Sequence, residues 1–200
     1  MISKNEMGSQ RVPMINFNPA EIGKAEYGWW RAHNDKDYPK LAEFLTLQFA
    51  KQYGLSAEEA KTASKSFLQV LKYHDEHNWD GAVEVLTDVY EIVQKHAYHL
   101  IPRIGAEKEV NLWGLHDELE EQEDKTPLTE AFIDLYSEIY GVDRKLLKDA
   151  AEQRTLATVE HDRAEQEGIS PEEAEEHWEK VKEHLITFYT QLKDIVGANI

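Results

Sequence analysis

Residues 41–75 read LAEFLTLQFAKQYGLSAEEAKTASKSFLQVLKYHD, and residues 128–162 read LTEAFIDLYSEIYGVDRKLLKDAAEQRTLATVEHD. Laid over each other without a gap, they share Leu41/Leu128, Glu43/Glu130, Tyr53/Tyr140, Gly54/Gly141, Lys61/Lys148, Ala63/Ala150, His74/His161 and Asp75/Asp162 at a constant offset of 87. Upstream, Glu26, Trp30 and His33 recur as Glu109, Trp113 and His116 at an offset of 83. Downstream, Trp79, Glu84, Leu86 and Tyr90 recur as Trp178, Glu183, Leu185 and Tyr189 at an offset of 99. Both changes of offset fall between predicted helices, where inserted residues cost little. A fortuitous match has no reason to put its gaps there, so the pattern predicts two diverged copies of one module.

The module is helical. Apolar residues recur three and four apart, as in Phe67, Val70, Leu71 and in Leu185, Phe188, Tyr189, Leu192, and strand-like alternation is nearly missing. Asn18-Pro19 opens a helix near 19–34, and Asp37-Tyr38-Pro39 opens a second that stops at Tyr53-Gly54. Ser56 followed by Glu59 spells a capping box for a third helix, and Asn78 to Gln94 supplies a fourth. After a connector the order returns, with helices through Trp113, after Thr126-Pro127, after Asp143 and after Ser170-Pro171. The expected fold class is therefore all-α, a helical bundle of about eight helices built from two tandem four-helix repeats related by a pseudo-twofold. The expected organisation is a flexible N-terminal tail over 1–18, repeat 1 over 19–96, a connector over 97–106 and repeat 2 over 107–196, forming one compact unit.

Charge and composition narrow the function classes. Asp and Glu number 39 against 22 Lys and Arg, and the formal charge of -17 repels phosphate backbones and anionic lipid surfaces. Neither nucleic acid nor membrane is expected as a partner. The apolar runs fall short of the roughly 20 residues a membrane span needs, and the N-terminal segment lacks the apolar stretch of a signal peptide, so a cytoplasmic location is expected. With no cysteine, thiolate nucleophiles, disulfides and cysteine metal sites are excluded.

The repeat also acts as a filter on polar residues. Packing asks only that an apolar residue stay apolar, so Leu can drift to Val or Phe. Polar identity is harder to explain that way. Glu26/Glu109, His33/His116, Glu43/Glu130, His74/His161 and Asp75/Asp162 are the same in both halves. Glu and His seven apart stand two turns apart on one helix face, since the drift over seven residues is about 20°. Mixed imidazole and carboxylate donors suit a divalent transition metal such as Fe, Mn, Zn or Ni, and helical bundles build such sites from inward-facing side chains. The expected metal ligands or acid–base groups are Glu26, His33, His74, Asp75, Glu109, His116, His161 and Asp162, with Glu43 and Glu130 as second-tier ligands or catalytic bases. The repeated Trp and Tyr residues are expected to anchor helix contacts.

A purely structural account stands beside this. Glu26 and His33 then form a buried pair that fixes helix packing, and His74 and Asp75 sit in the last turn of a helix, where the dipole favours an imidazolium. Gly-rich phosphate loops, H-E-x-x-H, G-x-S-x-G and E-x-x-H motifs are missing. The Glu26-x6-His33 helix resembles the first ligand helix of haem-oxygenase-like di-iron oxidases. The later motif of that family, His-x3-Asp-x2-His, finds its nearest match in His177, Val181 and His184, without the aspartate, and membership is not drawn. The sequence thus predicts a metal-dependent enzyme acting on a small-molecule substrate, oxygenase-like or hydrolase- or lyase-like, in a chain that admits a homodimer. The competing prediction is a non-catalytic ligand-binding or regulatory helical domain with a buried polar network.

Overall fold

A computed structural model of the chain describes residues 17–97 and 99–198. The repeated punctuation sets the elements. Asn18 caps α1 (Pro19–Asn34), its side chain accepting from the Ala20 and Glu21 amides. Asp37 caps α2 (Tyr38–Tyr53), and the reciprocal Ser56–Glu59 capping box starts α3 (Ala57–Asp75). Asn78 caps α4 (Trp79–Gln94). Then follow α5 (Pro102–Leu119), α6 (Thr126–Tyr140), a 3₁₀ turn at Arg144–Leu146, α7 (Lys148–Ala164) and α8 (Pro171–Ala198). Among the described residues there is no strand. Both Tyr-Gly stops end a helix as expected, Gly54 at φ 67° and Gly141 at φ 64°, in the left-handed region that favours glycine.

Three details differ from the sequence reading. Asp143 opens the 3₁₀ turn rather than a helix, its side chain accepting from the Lys145 amide, and α7 starts only after that turn. The expected connector over 97–106 ends early, because Pro102 sits at the first helical position, where its missing N–H has no consequence. Residues 1–16 of the expected tail lie outside the described residues, but Phe17 does not behave as tail. It is buried and stands edge-on to Tyr189 at 6.2 Å.

Each helix packs on its predecessor and its successor, and α8 returns onto α1. The eight helices therefore close a ring. Closure depends on Gly23, where a Cβ would come within 2.9 Å of the Ile186 main chain, so only glycine lets α1 approach α8 this closely. Apolar faces meet in one large core containing Ile22, Leu41, Leu86, Leu128, Phe188 and Leu192. Trp30, Ala157, Trp178, Val181 and Leu185 form a second cluster where α1, α7 and α8 meet. Among the described residues no helix is long and apolar enough to cross a membrane.

Candidate functional site

A ring of helices need not be filled to its axis, and this one is not. A cavity of about 210 Å³ lies inside, against the roughly 10–15 Å³ that holds one water. Every helix contributes to its wall, and the repeated polar residues meet there. Glu26 and His33 come from α1, His74 from α3, Glu109 and His116 from α5, and His161 from α7. Two turns of helix separate Glu26 from His33 and Glu109 from His116, about 10 Å at 1.5 Å per residue. The wall thus carries a carboxylate layer and an imidazole layer. Glu26 lies deep at 3% exposure and Glu109 is half-buried, while the imidazole side chains keep 23–33% and mark the mouth.

In the deep layer each glutamate takes a hydrogen bond from a tyrosine of the other half of the chain. Tyr189 donates to Glu26 Oε2 at 2.5 Å, and Tyr90 donates to Glu109 Oε2. These tyrosines are partners in the sequence comparison, as are the glutamates. Beyond this the two surroundings diverge. Arg154 of α7 donates from Nη2 to Glu26 Oε1 at 2.6 Å, and its guanidinium lies over Trp30 at 4.5 Å and Phe132 at 5.0 Å. Gln48 adds a longer bond to Glu26 at 3.4 Å and takes its place in a chain with Gln52, Tyr189 and Tyr140. At the offset of 87, the residues of the other half that match Arg154, Gln48 and Gln52 are Phe67, Leu135 and Ile139. Among the described residues Glu109 therefore has no ion-pair partner of its own. Burial pushes its carboxyl up to about 7, with the Tyr90 hydrogen bond and the more distant Arg154 charge pulling the other way. Burial likewise raises the Tyr90 and Tyr189 hydroxyls well above the usual range, so both stay protonated donors.

At the mouth two of the imidazoles are wedged between tryptophans. His74 stands edge-on to Trp79 and Trp113 at 5.6 and 5.5 Å, and His161 to Trp178 and Trp30 at 5.3 and 5.1 Å. In each case one indole comes from the following helix and the other from the opposite half. His116 Nε2 meets Asp162 at 2.9 Å, while His33 Nε2 lies 3.7 Å from Asp75. Burial works against charge on His161, but its hydrogen bonds with Asp162 and Glu165 outweigh it and raise the imidazole to about 9. Burial would raise Asp162 as well. His116 and His161 reverse this and hold it down at about 2. His161 and Asp162 thus form a standing ion pair at neutral pH.

Glu26, His33, His74, Glu109, His116 and His161 line the cavity, and Asp162 reaches its rim through His116. Asp75 is exposed and sits behind His33 and His74. Glu43 and Glu130, read from the sequence as bases, are both exposed outside the cavity, and Glu130 pairs with Arg144 at 2.8 Å. Among the described residues no group of three or more His, Asp or Glu side chains is positioned to hold a metal ion. Most of these donors are turned toward protein partners instead. The repeat filter also missed Arg154, Gln48 and Gln52, because it retains what both halves share and these are points of divergence. A signal for Arg154 does exist. It stands in the small-residue stripe Ala150, Ala151, Ala157, Thr158, where helical spacing puts a guanidinium on a buried face.

No protein-family model, curated protein or solved structure matches the chain.

Proposed function

We propose that the protein is an enzyme acting on a small molecule held in the central cavity, with Glu109 taking up and releasing a proton. The Glu26–Arg154 ion pair stands beside it. The observation that carries this reading is that two matched glutamates share one cavity in unlike surroundings, one paired with a guanidinium and one not. Unlike surroundings for like groups are how one site comes to hold a proton carrier beside a structural ion pair. A carboxyl near neutrality is suited to general acid–base work at physiological pH. A duplication followed by divergence accounts for the pair, and the cross-half Tyr90–Glu109 and Tyr189–Glu26 bonds and the paired His–Trp wedges support it.

The test is to incubate the protein with a pool of small molecules and follow their depletion by mass spectrometry, with Glu109→Gln as control. Depletion by the native chain and not by the variant is the expected result. Binding without depletion in either chain favours the non-catalytic ligand-binding alternative, and neither binding nor depletion refutes both.

A metal-dependent form of the same reading draws support from six donors lining one cavity, namely Glu26, His33, His74, Glu109, His116 and His161. It requires Glu26 to leave Arg154 and His116 to leave Asp162. Elemental analysis of protein prepared without added metal, beside a His33→Ala, His116→Ala double variant, decides it. A stoichiometric Fe, Mn, Zn or Ni content lost in the variant supports the metal, and no metal in either preparation rejects it.

A further inference from the structure

The carboxylate layer holds two glutamates and one guanidinium. Glu109 Oε2 is taken by Tyr90, and among the described residues Oε1 has no hydrogen-bond partner. Where Arg154 stands in one half, the other half has Phe67, whose ring meets Trp113 edge-on at 6.0 Å. Trp113 matches Trp30, the indole that carries the Arg154 guanidinium, and it lies one turn beyond Glu109 on the same helix face. The Glu109 carboxylate thus has a tyrosine and an aromatic wall in the same cavity, and among the described residues none supplies the cation that completes the same set around Glu26.

We propose that the ligand supplies it: the space beside Glu109, walled by Phe67, Trp113 and Tyr90, takes the ammonium or guanidinium head of an organic amine, as Glu26 takes Arg154. The inference rests on the reading of the cavity as a small-molecule site. An ammonium in an aromatic-walled site gains both the carboxylate and the attraction of the ring faces. It also brings the layer to zero net charge, with Glu26 and Glu109 against Arg154 and the ligand. The mouth favours a cation too, because Asp75, Asp117, Asp162 and Glu165 surround the imidazoles and the chain carries a formal charge of -17. The competing feature is Arg154 Nη1, a buried donor without a hydrogen-bond partner, which an anionic ligand would satisfy. An anion there would add a second uncompensated negative charge beside Glu26 and Glu109. That guanidinium is already packed against the Trp30 and Phe132 rings.

Because the cation and a proton compete for Glu109, amine affinity rises with pH until Glu109 is ionised. The groups that face Glu109 are Tyr90 from α4, Arg154 from α7, Glu26 from α1 and, farther off, Tyr53 and Tyr136. Burial raises all the tyrosines among these, so they hold their protons through the range. The probes are benzylamine with benzyl alcohol and benzoate as its neutral and anionic counterparts. Binding is followed by calorimetry and by the fluorescence of the cavity tryptophans Trp29, Trp30 and Trp113.

Benzylamine is expected to bind at least about tenfold more tightly than either counterpart, with affinity rising by up to about tenfold per pH unit below the Glu109 midpoint. Glu109→Gln keeps the Tyr90 contact and is expected to lose about tenfold or more and the pH dependence with it. Phe67→Arg is expected to abolish amine binding by placing the chain's own guanidinium in the space. Benzoate binding as tightly as benzylamine, or amine binding indifferent to Glu109→Gln, overturns the proposal while leaving a small-molecule cavity. Failure of all three probes to bind the native chain also overturns it, and the depletion assay then judges the wider reading separately.

Discussion

Replacing Glu109 by Gln separates a titrating carboxyl from a merely polar one. The carboxyl is raised from 4.5 to about 7 in the folded chain, so between these values the native state holds a proton that the unfolded state has lost. Its contribution to stability is complete below about pH 4.5 and is lost as pH rises through about 7, a total of about 3 kcal/mol at 1.36 kcal/mol per pH unit. Over an accessible range from about pH 5.5 to about pH 8 the change is about 2 kcal/mol. Gln keeps shape and hydrogen bonding and does not titrate. Urea unfolding of both chains, followed by circular dichroism, isolates the effect, since every other titrating group cancels in the difference. The variant is expected to gain on the native chain by about 2 kcal/mol across that range as pH rises. A flat difference, or one of opposite sign, refutes the account of Glu109 and with it the assignment of the proton carrier.

Arg154→Met leaves Glu26 buried without its guanidinium. Urea unfolding should show a loss of about 3–5 kcal/mol, and a loss below about 1 kcal/mol contradicts the account of a buried ion pair. His161, raised from 6.5 to about 9, contributes stability that is complete below about pH 6.5 and is lost as pH rises through about 9. His161→Gln should remove that alkaline decline from thermal unfolding curves while leaving the Glu109 window unchanged. Gly54→Ala should cost about 1 kcal/mol for its left-handed backbone. Gly141→Ala should cost more than the about 1 kcal/mol of its left-handed backbone alone, because its Cβ would come within 2.6 Å of the His99 ring, and a loss of about 1 kcal/mol or less contradicts that clash.

Much of this was legible before any coordinates. The capping box at Ser56, the Tyr-Gly stops and the Pro-led helices are local signals, set by bonds between residues a few positions apart. Helix starts and stops therefore matched closely, and the miss at Asp143 came from a side chain that caps a 3₁₀ turn as readily as an α-helix. Identity between the halves correctly pointed to Glu26, Glu109 and the imidazoles as inward-facing, because a shared polar residue on a shared helical face resists drift. Glu43 and Glu130 passed the same filter and lie at the surface, since identity does not say which way a helix turns.

What the sequence determined by itself is the helical class, the helix ends and the set of polar residues both halves keep, because each depends on local bonding or on spacing along one helix. Only the tertiary structure decided that the eight helices close into a ring around a cavity, since closure depends on the approach of α8 to Gly23. Only it decided that Arg154 pairs across the ring with Glu26 and not with Glu109. That difference arises from contacts between residues 128 positions apart, a distance that no periodicity in the chain encodes.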